Sequence, residues 1–388
     1  MNPEGFSAPE AGRVVRSPGG YFAFVPAPLP PAIRYDDELV LALSRADSSL
    51  SELSGLGRLL PNPHLLIAPY VRKEAVLSSK IEGTTTDLSE LLQDEAGAEL
   101  PARDPDDVRE VRNYVRALEY GVTRLKKLPL SLRLVRELHE RLMRSVRGDQ
   151  ATPGAFRRSQ NWIGAYGSTP DTASYVPPPV EELQACLDAW EKFLHQRDRI
   201  PDLVQCALMH EQFEAIHPFL DGNGRIGRLL ITLFLIERNR LSQPLLYLSA
   251  YIERNRTAYY ELLQRVRTRG DWRSWILYFL RGVAEISNEA VERSGRLMEL
   301  REKLRNKVAG KRNAVRLLEQ LFENPYVTVA GAVKLLGVSN PTARQAVKHL
   351  QAAGVLSETT GREWGRLYLA RPILKILEMN ETNEKTAR

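Results

Sequence analysis

The stretch His217-Pro218-Phe219-Leu220-Asp221-Gly222-Asn223-Gly224-Arg225-Ile226-Gly227-Arg228 decides how this chain is read. Residues 203–216 before it and 226–237 after it carry apolar helical patterns, so the stretch is a connection between two helices. Pro218 disfavours right-handed helical geometry at His217, which predicts that the first helix stops there and leaves His217 at the mouth of the connection. Gly222 and Gly224 permit a sharp turn. Their N–H groups, with those of Asn223 and the next helix's first turn, can surround an anion. Arg225 and Arg228, three apart on that turn, reach further phosphate oxygens, and Asp221 offers the hard carboxylate oxygen that a divalent cation bridging phosphates takes. An imidazole is suited to accept a proton near neutral pH. A base, a metal carboxylate and an anion cradle over a polyphosphate describe nucleotidyl or phosphoryl transfer. The plainer alternative is a Gly-rich link between packed helices, but a His, an Asp and two Arg at fixed offsets exceed what such a link needs.

Around this centre lie 388 residues, enough for two to three domains at the usual ~150 residues each. Apolar residues at 43% and charged residues at 26% exclude wholesale disorder and fibrous repeats. A net charge of +6 permits anionic partners without demanding one. Cys186 and Cys206 make no framework and lack the Cys-x-x-Cys spacing of zinc or redox sites, so buried thiols in a reducing compartment are expected. With neither an apolar leader in residues 1–20 nor a membrane-length apolar run, the expectation is a cytoplasmic protein with no membrane contact.

The fold class expected is mainly α, with a small β-hairpin flap and a second small domain. Val108, Val111, Val115 and Leu118 recur at three and four, Leu132, Leu138 and Leu142 mark a second stretch, and Leu183, Cys186, Leu187, Trp190 and Leu194 a third, all read as core stripes. The boundaries drawn are an N-terminal arm and helices over 1–100, a catalytic core over 101–290, a helical connector over 291–312, a helix-turn-helix domain over 313–372 and a polar tail over 373–388. Residues 1–31, rich in Pro and Gly, read as a loosely structured arm whose aromatic run at 21–25 docks on the surface. Residues 161–179 hold Gly, Pro and β-branched or aromatic residues without helical period, as a hairpin flap would. In the C-terminal domain a tight turn at Gly337 precedes a helix opened by Asn340-Pro341, and two short strand patterns follow, which together resemble a winged helix-turn-helix. Thr342, Arg344, Gln345 and Lys348 point outward on its second helix. Residues 312–371 hold eight Lys/Arg and four Asp/Glu, a net of +4. Duplex DNA and a protein or dimer partner both stay open for this domain.

At every defined position the opening stretch resembles the signature of the Fic family, H-x-F-x-D/E-G-N-G-R-x-x-R. The resemblance implies a Fic-type helical core and protein adenylyltransfer, in which AMP moves from ATP to a Tyr, Thr or Ser hydroxyl of a target protein. It further implies that His217 deprotonates the hydroxyl, Asp221 binds Mg²⁺, Gly222, Asn223 and Gly224 hold the transferring phosphate, and Arg225 and Arg228 grip the leaving pyrophosphate. Gly224 speaks against the kinase-type members, which replace it with Lys.

A second segment, Ser78-Ser79-Lys80-Ile81-Glu82-Gly83, resembles the family's inhibitory motif S/T-x-x-x-E-G/N, placed before the core as in its class II members. Helical spacing puts Ser78 and Glu82 on one face with Gly83 as a stop, although a Glu closing a helix before Gly is also ordinary. The resemblance implies that Glu82 pairs with Arg228 and occupies the place of ATP's terminal phosphate, making the resting enzyme weak. Members with such a Glu also remove AMP. It implies too that the flap borders the nucleotide at Ile163 and Gly164 and adds a target strand near Thr172 and Ser174, although a polar loop explains the same residues. Asn255 and Tyr259, with Tyr251 and Tyr260, fall where the family contacts adenosine, yet their spacing also fits a helix interface. Gly154-Ala155-Phe156-Arg157 resembles a short structural segment before the flap. His210-Glu211 starts like a zinc motif, but Glu214 stands where the second ligand belongs, so no zinc is expected. A homodimer and a DNA-binding regulator that senses nucleotide complete the alternatives.

Overall fold

The computed structural model describes residues 1–59, 64–98, 104–146 and 152–379. In chain order the elements are β1 (Gly12–Arg16), β2 (Phe22–Pro26), α1 (Asp37–Leu59), α2 (His64–Ile81), α3 (Leu88–Glu95), α4 (Pro105–Arg124), α5 (Leu132–Leu142), α6 (Val180–Leu194), α7 (Asp202–Ile216) and α8 (Asn223–Glu237). Then come α9 (Ser249–Arg254), α10 (Arg256–Arg269), α11 (Trp272–Lys307), α12 (Arg312–Glu323), β3 (Tyr326–Thr328), α13 (Val329–Leu336), α14 (Asn340–Ala352), β4 (Ser357–Glu358), β5 (Leu367–Leu369) and α15 (Arg371–Glu378). The protein is mainly helical, as expected. Among the described residues no helix is long and apolar enough to cross a membrane, and both cysteines are buried free thiols.

The chain divides into two compact units that do not follow the linear boundaries. One comprises Met1–Ser51, Asn113–Leu241 and Leu248–Glu285; the other comprises Glu52–Arg112, Ser242–Tyr247 and Ile286–Arg388.

The first unit is built around α7, whose residues 203–216 are all buried. A helix buried on every side needs neighbours on every side, and α6, α8, α10 and β2 supply them. The stripes on α4 and α6 are buried, as are Leu138 and Leu142 on α5. The arm departs from expectation: β1 and β2 pair antiparallel from Gly12↔Pro26 to Arg16↔Phe22, and the Phe24 ring is buried beside Tyr175 and Val176. A hydrogen bond from Phe24 N–H to the Val176 carbonyl (2.9 Å) ties this hairpin to the end of the flap. The flap is less regular than a hairpin, with the one bridge Ile163↔Tyr175 and, beyond it, local turn bonds such as the Ala173 N–H to the Thr169 carbonyl (2.8 Å).

In the second unit α12 packs on α2 and α14, and β3, β5 and β4 form a sheet in that spatial order. The expected connector is the end of the continuous helix α11. The supposed tail begins with a helix, since α15 buries Ile373, Leu374 and Leu377, and residues 380–388 lie outside the described residues. Two buried cations cap α15 from elsewhere in the unit. Lys73 Nζ donates to the Leu377 carbonyl (3.1 Å), and Arg293 donates to the carbonyls of Ile376 (3.2 Å) and Met379 (2.6 Å). Cations at a helix C-terminus satisfy the last carbonyls and oppose the helix dipole.

Candidate active site

Helix α7 ends at Ile216 and His217 caps it in the left-handed conformation, φ 49° and ψ 61°. The helix stop expected before Pro218 is therefore present. The His217 carbonyl accepts from Arg157 Nε (3.1 Å) and Asn161 Nδ2 (3.1 Å), and the Pro218 carbonyl accepts from the Arg157 N–H (2.9 Å). Arg157 also donates to the Pro178 carbonyl (2.5 Å), so one buried guanidinium links the end of α7 to the end of the flap. The ring of His217 is oriented by its own helix: Nδ1 lies 3.3 Å from the Glu214 carbonyl. A carbonyl only accepts, so Nδ1 carries the proton of the neutral ring and Nε2 carries the basic lone pair.

The turn from 219 to 222 is held from within. Asn223 Oδ1 accepts from the Phe219 N–H (2.8 Å) while its Nδ2 donates back to the Phe219 carbonyl (2.8 Å). Asn161 Nδ2 donates to that same carbonyl (2.8 Å). His139 of α5 supports the turn from beneath. Its Nδ1 accepts from the Gly154 N–H (2.9 Å), which leaves Nε2 as the donor to the Asp221 carbonyl (3.0 Å). The ring stacks on Phe219 with centroids 3.7 Å apart, and burial pushes its pKa down to about 4. It is therefore a neutral strut.

Helix α8 starts without a side-chain cap, because its N-cap is Gly222 at φ 78°. A Cβ there would stand 2.9 Å from Met143 Sδ, so only glycine fits the turn. A helix whose first N–H groups have no side-chain cap suits an anionic ligand, and Arg225 and Arg228 lie buried on its first turns. Asp221 is exposed at the turn, its Oδ1 accepting from the Gly222 N–H (2.6 Å) and its Oδ2 lying 3.5 Å from Arg225. Magnesium is ordinarily held by one or two carboxylates together with substrate phosphates, a donor set that Asp221 beside this helix start fits. Among the described residues there is no cluster of three or more His, Cys, Asp or Glu.

The structure brings His217, Asp221, Gly222, Asn223, Gly224, Arg225 and Arg228 into one connection between α7 and α8. In the flap, Ile163 exchanges backbone bonds with Tyr175, Ser174 Oγ donates to the Ile163 carbonyl (2.8 Å), and Thr172 Oγ1 accepts from the Thr169 N–H (2.9 Å). Gly164 is closely packed: a Cβ there would meet Ser168 Oγ at 2.5 Å and the Ala173 backbone at 3.2 Å. Tyr259 sits in the core at 1% exposure, its hydroxyl 2.9 Å from His210 Nε2, so the helix-interface reading describes it. Asn255 joins α9 to α10 and donates to the Tyr251 carbonyl (2.9 Å), while Tyr260 exposes its ring. Of the supposed zinc residues, His210 is engaged with Tyr259 and Glu211 with Arg267 (3.2 Å).

In the second unit α2 ends at Ile81, one residue short of Glu82, and Gly83 turns the chain at φ 105°. Ser78 is fully buried on the last turn of α2, and Glu82 just beyond it is exposed.

Residues 40–123 match the profile described as Fic/DOC family N-terminal, and residues 129–235 match that of the Fic/DOC family. The "Protein adenylyltransferase Fic" of Drosophila grimshawi is 28% identical over 216 residues, covering 55% of this chain and 40% of that protein. Its Drosophila erecta counterpart is 26% identical over 216 residues, covering 55% of this chain and 39% of that protein. This chain thus spans about two-fifths of the length of these curated relatives. Among solved structures, a Fic family protein from Desulfovibrio desulfuricans G20 superposes with a TM-score of 0.58 at 19% identity, over 88% of this chain and 98% of that one, which shows a shared fold.

Proposed function

Given a chain that carries a Fic/DOC family domain at 129–235 behind the family's N-terminal domain at 40–123, we propose that it transfers AMP from ATP to a hydroxyl side chain of a target protein. The reading rests on one observation above all: Nδ1 of His217 is committed to the Glu214 carbonyl, so the basic nitrogen is Nε2, on a residue four positions before Asp221 and an uncapped helix start. His217 takes the proton of the attacking hydroxyl. The hydroxyl oxygen bonds to the α-phosphorus as the bond to pyrophosphate breaks, and the first-turn N–H groups of α8 receive the charge that develops. Arg225 and Arg228 hold the departing pyrophosphate. Mg²⁺, held by Asp221, would supply charge neutralisation between the phosphates.

Glu82 is the proposed brake. The support is its motif: a carboxylate that competes for a phosphate-binding arginine displaces or misaligns ATP. We further read the β3–β5–β4 sheet with α12, α13 and α14 as a winged helix.

Incubation with α-labelled and γ-labelled ATP tests the reading. Label kept on protein from the α position alone is the expected result, stronger in Glu82→Gly and at least ~100-fold weaker when His217→Ala is added, the usual contribution of a general base. Label from the γ position, or none in Glu82→Gly, overturns it.

A further inference from the structure

Helix α14 is packed on one side only. Ala343, Ala346, Val347 and Leu350 are buried, whereas Asn340, Arg344, Gln345 and Lys348 are exposed and place three side chains, 340, 344 and 348, along one stripe. Its approach is fixed: α13 ends at Gly337 in the left-handed conformation (φ 64°), and α14 begins two residues after the turn with Pro341 in its first turn. Across from the stripe stands the loop between β4 and β5, with residues 361–366 all exposed and Trp364 at 81% exposure. Helix and loop line one groove of about 460 Å³, to which Arg344 and Lys348 contribute from the helix and Trp364 and Arg366 from the loop.

We propose that this groove and the exposed face of α14 bind duplex DNA. The charge argues for a polyanion, because three cations meet at the groove and Glu363 is the one carboxylate lining it. Glu358, the other acid of the loop, is turned to structural use. Its carboxylate accepts from the Thr360 hydroxyl and from the N–H groups of Thr360 (2.7 Å) and Gly361 (3.0 Å), closing the turn, and these bonds, the hydroxyl's first, hold its pKa below the usual range. The shape argues for a duplex. A helix with one exposed face fits a major groove ~12 Å wide while a flanking loop reaches the backbone. Asn340 and Gln345 are types that pair with base edges, and Arg344, Lys348 and Arg366 suit phosphates. Pre-organisation is visible, as Arg344 Nε donates to Asn340 Oδ1 (2.8 Å) and Arg366 Nε to the Arg362 carbonyl (2.7 Å).

The test is fluorescence anisotropy of a labelled random-sequence duplex with the full chain, from about 50 to about 200 mM salt. Affinity is expected to fall linearly on logarithmic axes. The slope should flatten by about 0.9 for each phosphate-contacting cation removed in the series Lys348→Ala, Arg366→Ala and Arg344→Ala. All three side chains are exposed, so circular dichroism melts of the variants should match the parent. Lys126→Ala with Lys127→Ala, two exposed cations of the other unit, should leave the slope unchanged. No binding at the lowest salt, an unchanged slope in the triple variant, or an equal loss in the Lys126/Lys127 control overturns the proposal. So does capture of a protein partner by this face without any retention of duplex.

Discussion

Burial pushes the His210 imidazole down to about 3 from the usual 6.5, with its Nε2 held 2.9 Å from the Tyr259 hydroxyl. Below about pH 6.5 the unfolded chain takes up a proton at this residue that the folded chain refuses, so the folded state loses up to ~1.4 kcal/mol for each further unit of acidity. Glu211 works with the opposite sign. Burial raises its carboxyl from 4.5 to about 7 against the pull of Arg267, so its contribution to stability declines as pH rises through that window. The difference between wild type and His210→Gln isolates the imidazole: urea titrations from pH 7 to pH 5 should show the wild type losing stability relative to the variant by ~2 kcal/mol. At the same scale, His217 and Asp221 were legible in the sequence because their chemistry needs fixed offsets along one short connection. The residues that brace them were not. His139 reaches Asp221 across 82 positions, Arg157 reaches His217 across 60 and Asn161 across 56, and no local pattern encodes such meetings. Tyr259 shows a related limit, since an aromatic at helical spacing looks the same whether it faces a ligand or a buried histidine.

Helices α7 and α8 lie so close that the second has no room for a side chain at Gly227. A Cβ there would stand 2.4 Å from Glu214 Oε1 and 3.3 Å from the His210 ring. Alanine raises helix propensity over glycine by up to ~1 kcal/mol, but overpacking a tight core costs ~1–3 kcal/mol. The second effect wins. Gly227→Ala is expected to lower the melting temperature and, by tilting the start of α8, to weaken nucleotide binding; a stabilised variant would contradict the packing. Periodicity read α4 and α6 well, because each has one wet face. It read the arm poorly, since five-residue strands alternate too briefly to announce themselves and the apolar side of β2 is evident only once Tyr175 and Val176 lie against it.

Each compact unit is assembled from pieces distant in sequence, an arrangement that boundaries drawn along the chain do not express. Residues 52–112 share a unit with 286–388, joined by α2 against α12 and by hydrogen bonds such as Asn324 Nδ2 to the Leu92 carbonyl (2.8 Å). Removal of residues 371–388 would strip Lys73 and Arg293 of carbonyls they now serve, leaving two buried cations under-satisfied at roughly 1–3 kcal/mol each. Calorimetry of that truncation should show a melting temperature lower by about 4 °C or more. An unchanged transition would mean that α15 contributes nothing to the unit.

The seating of α15 on Lys73 has a mechanical corollary. Lys73 belongs to α2, the helix that ends one residue before Glu82, so α15 and the approach to that glutamate share a single girder. A load applied to α15 is thus borne by the helix that precedes the glutamate.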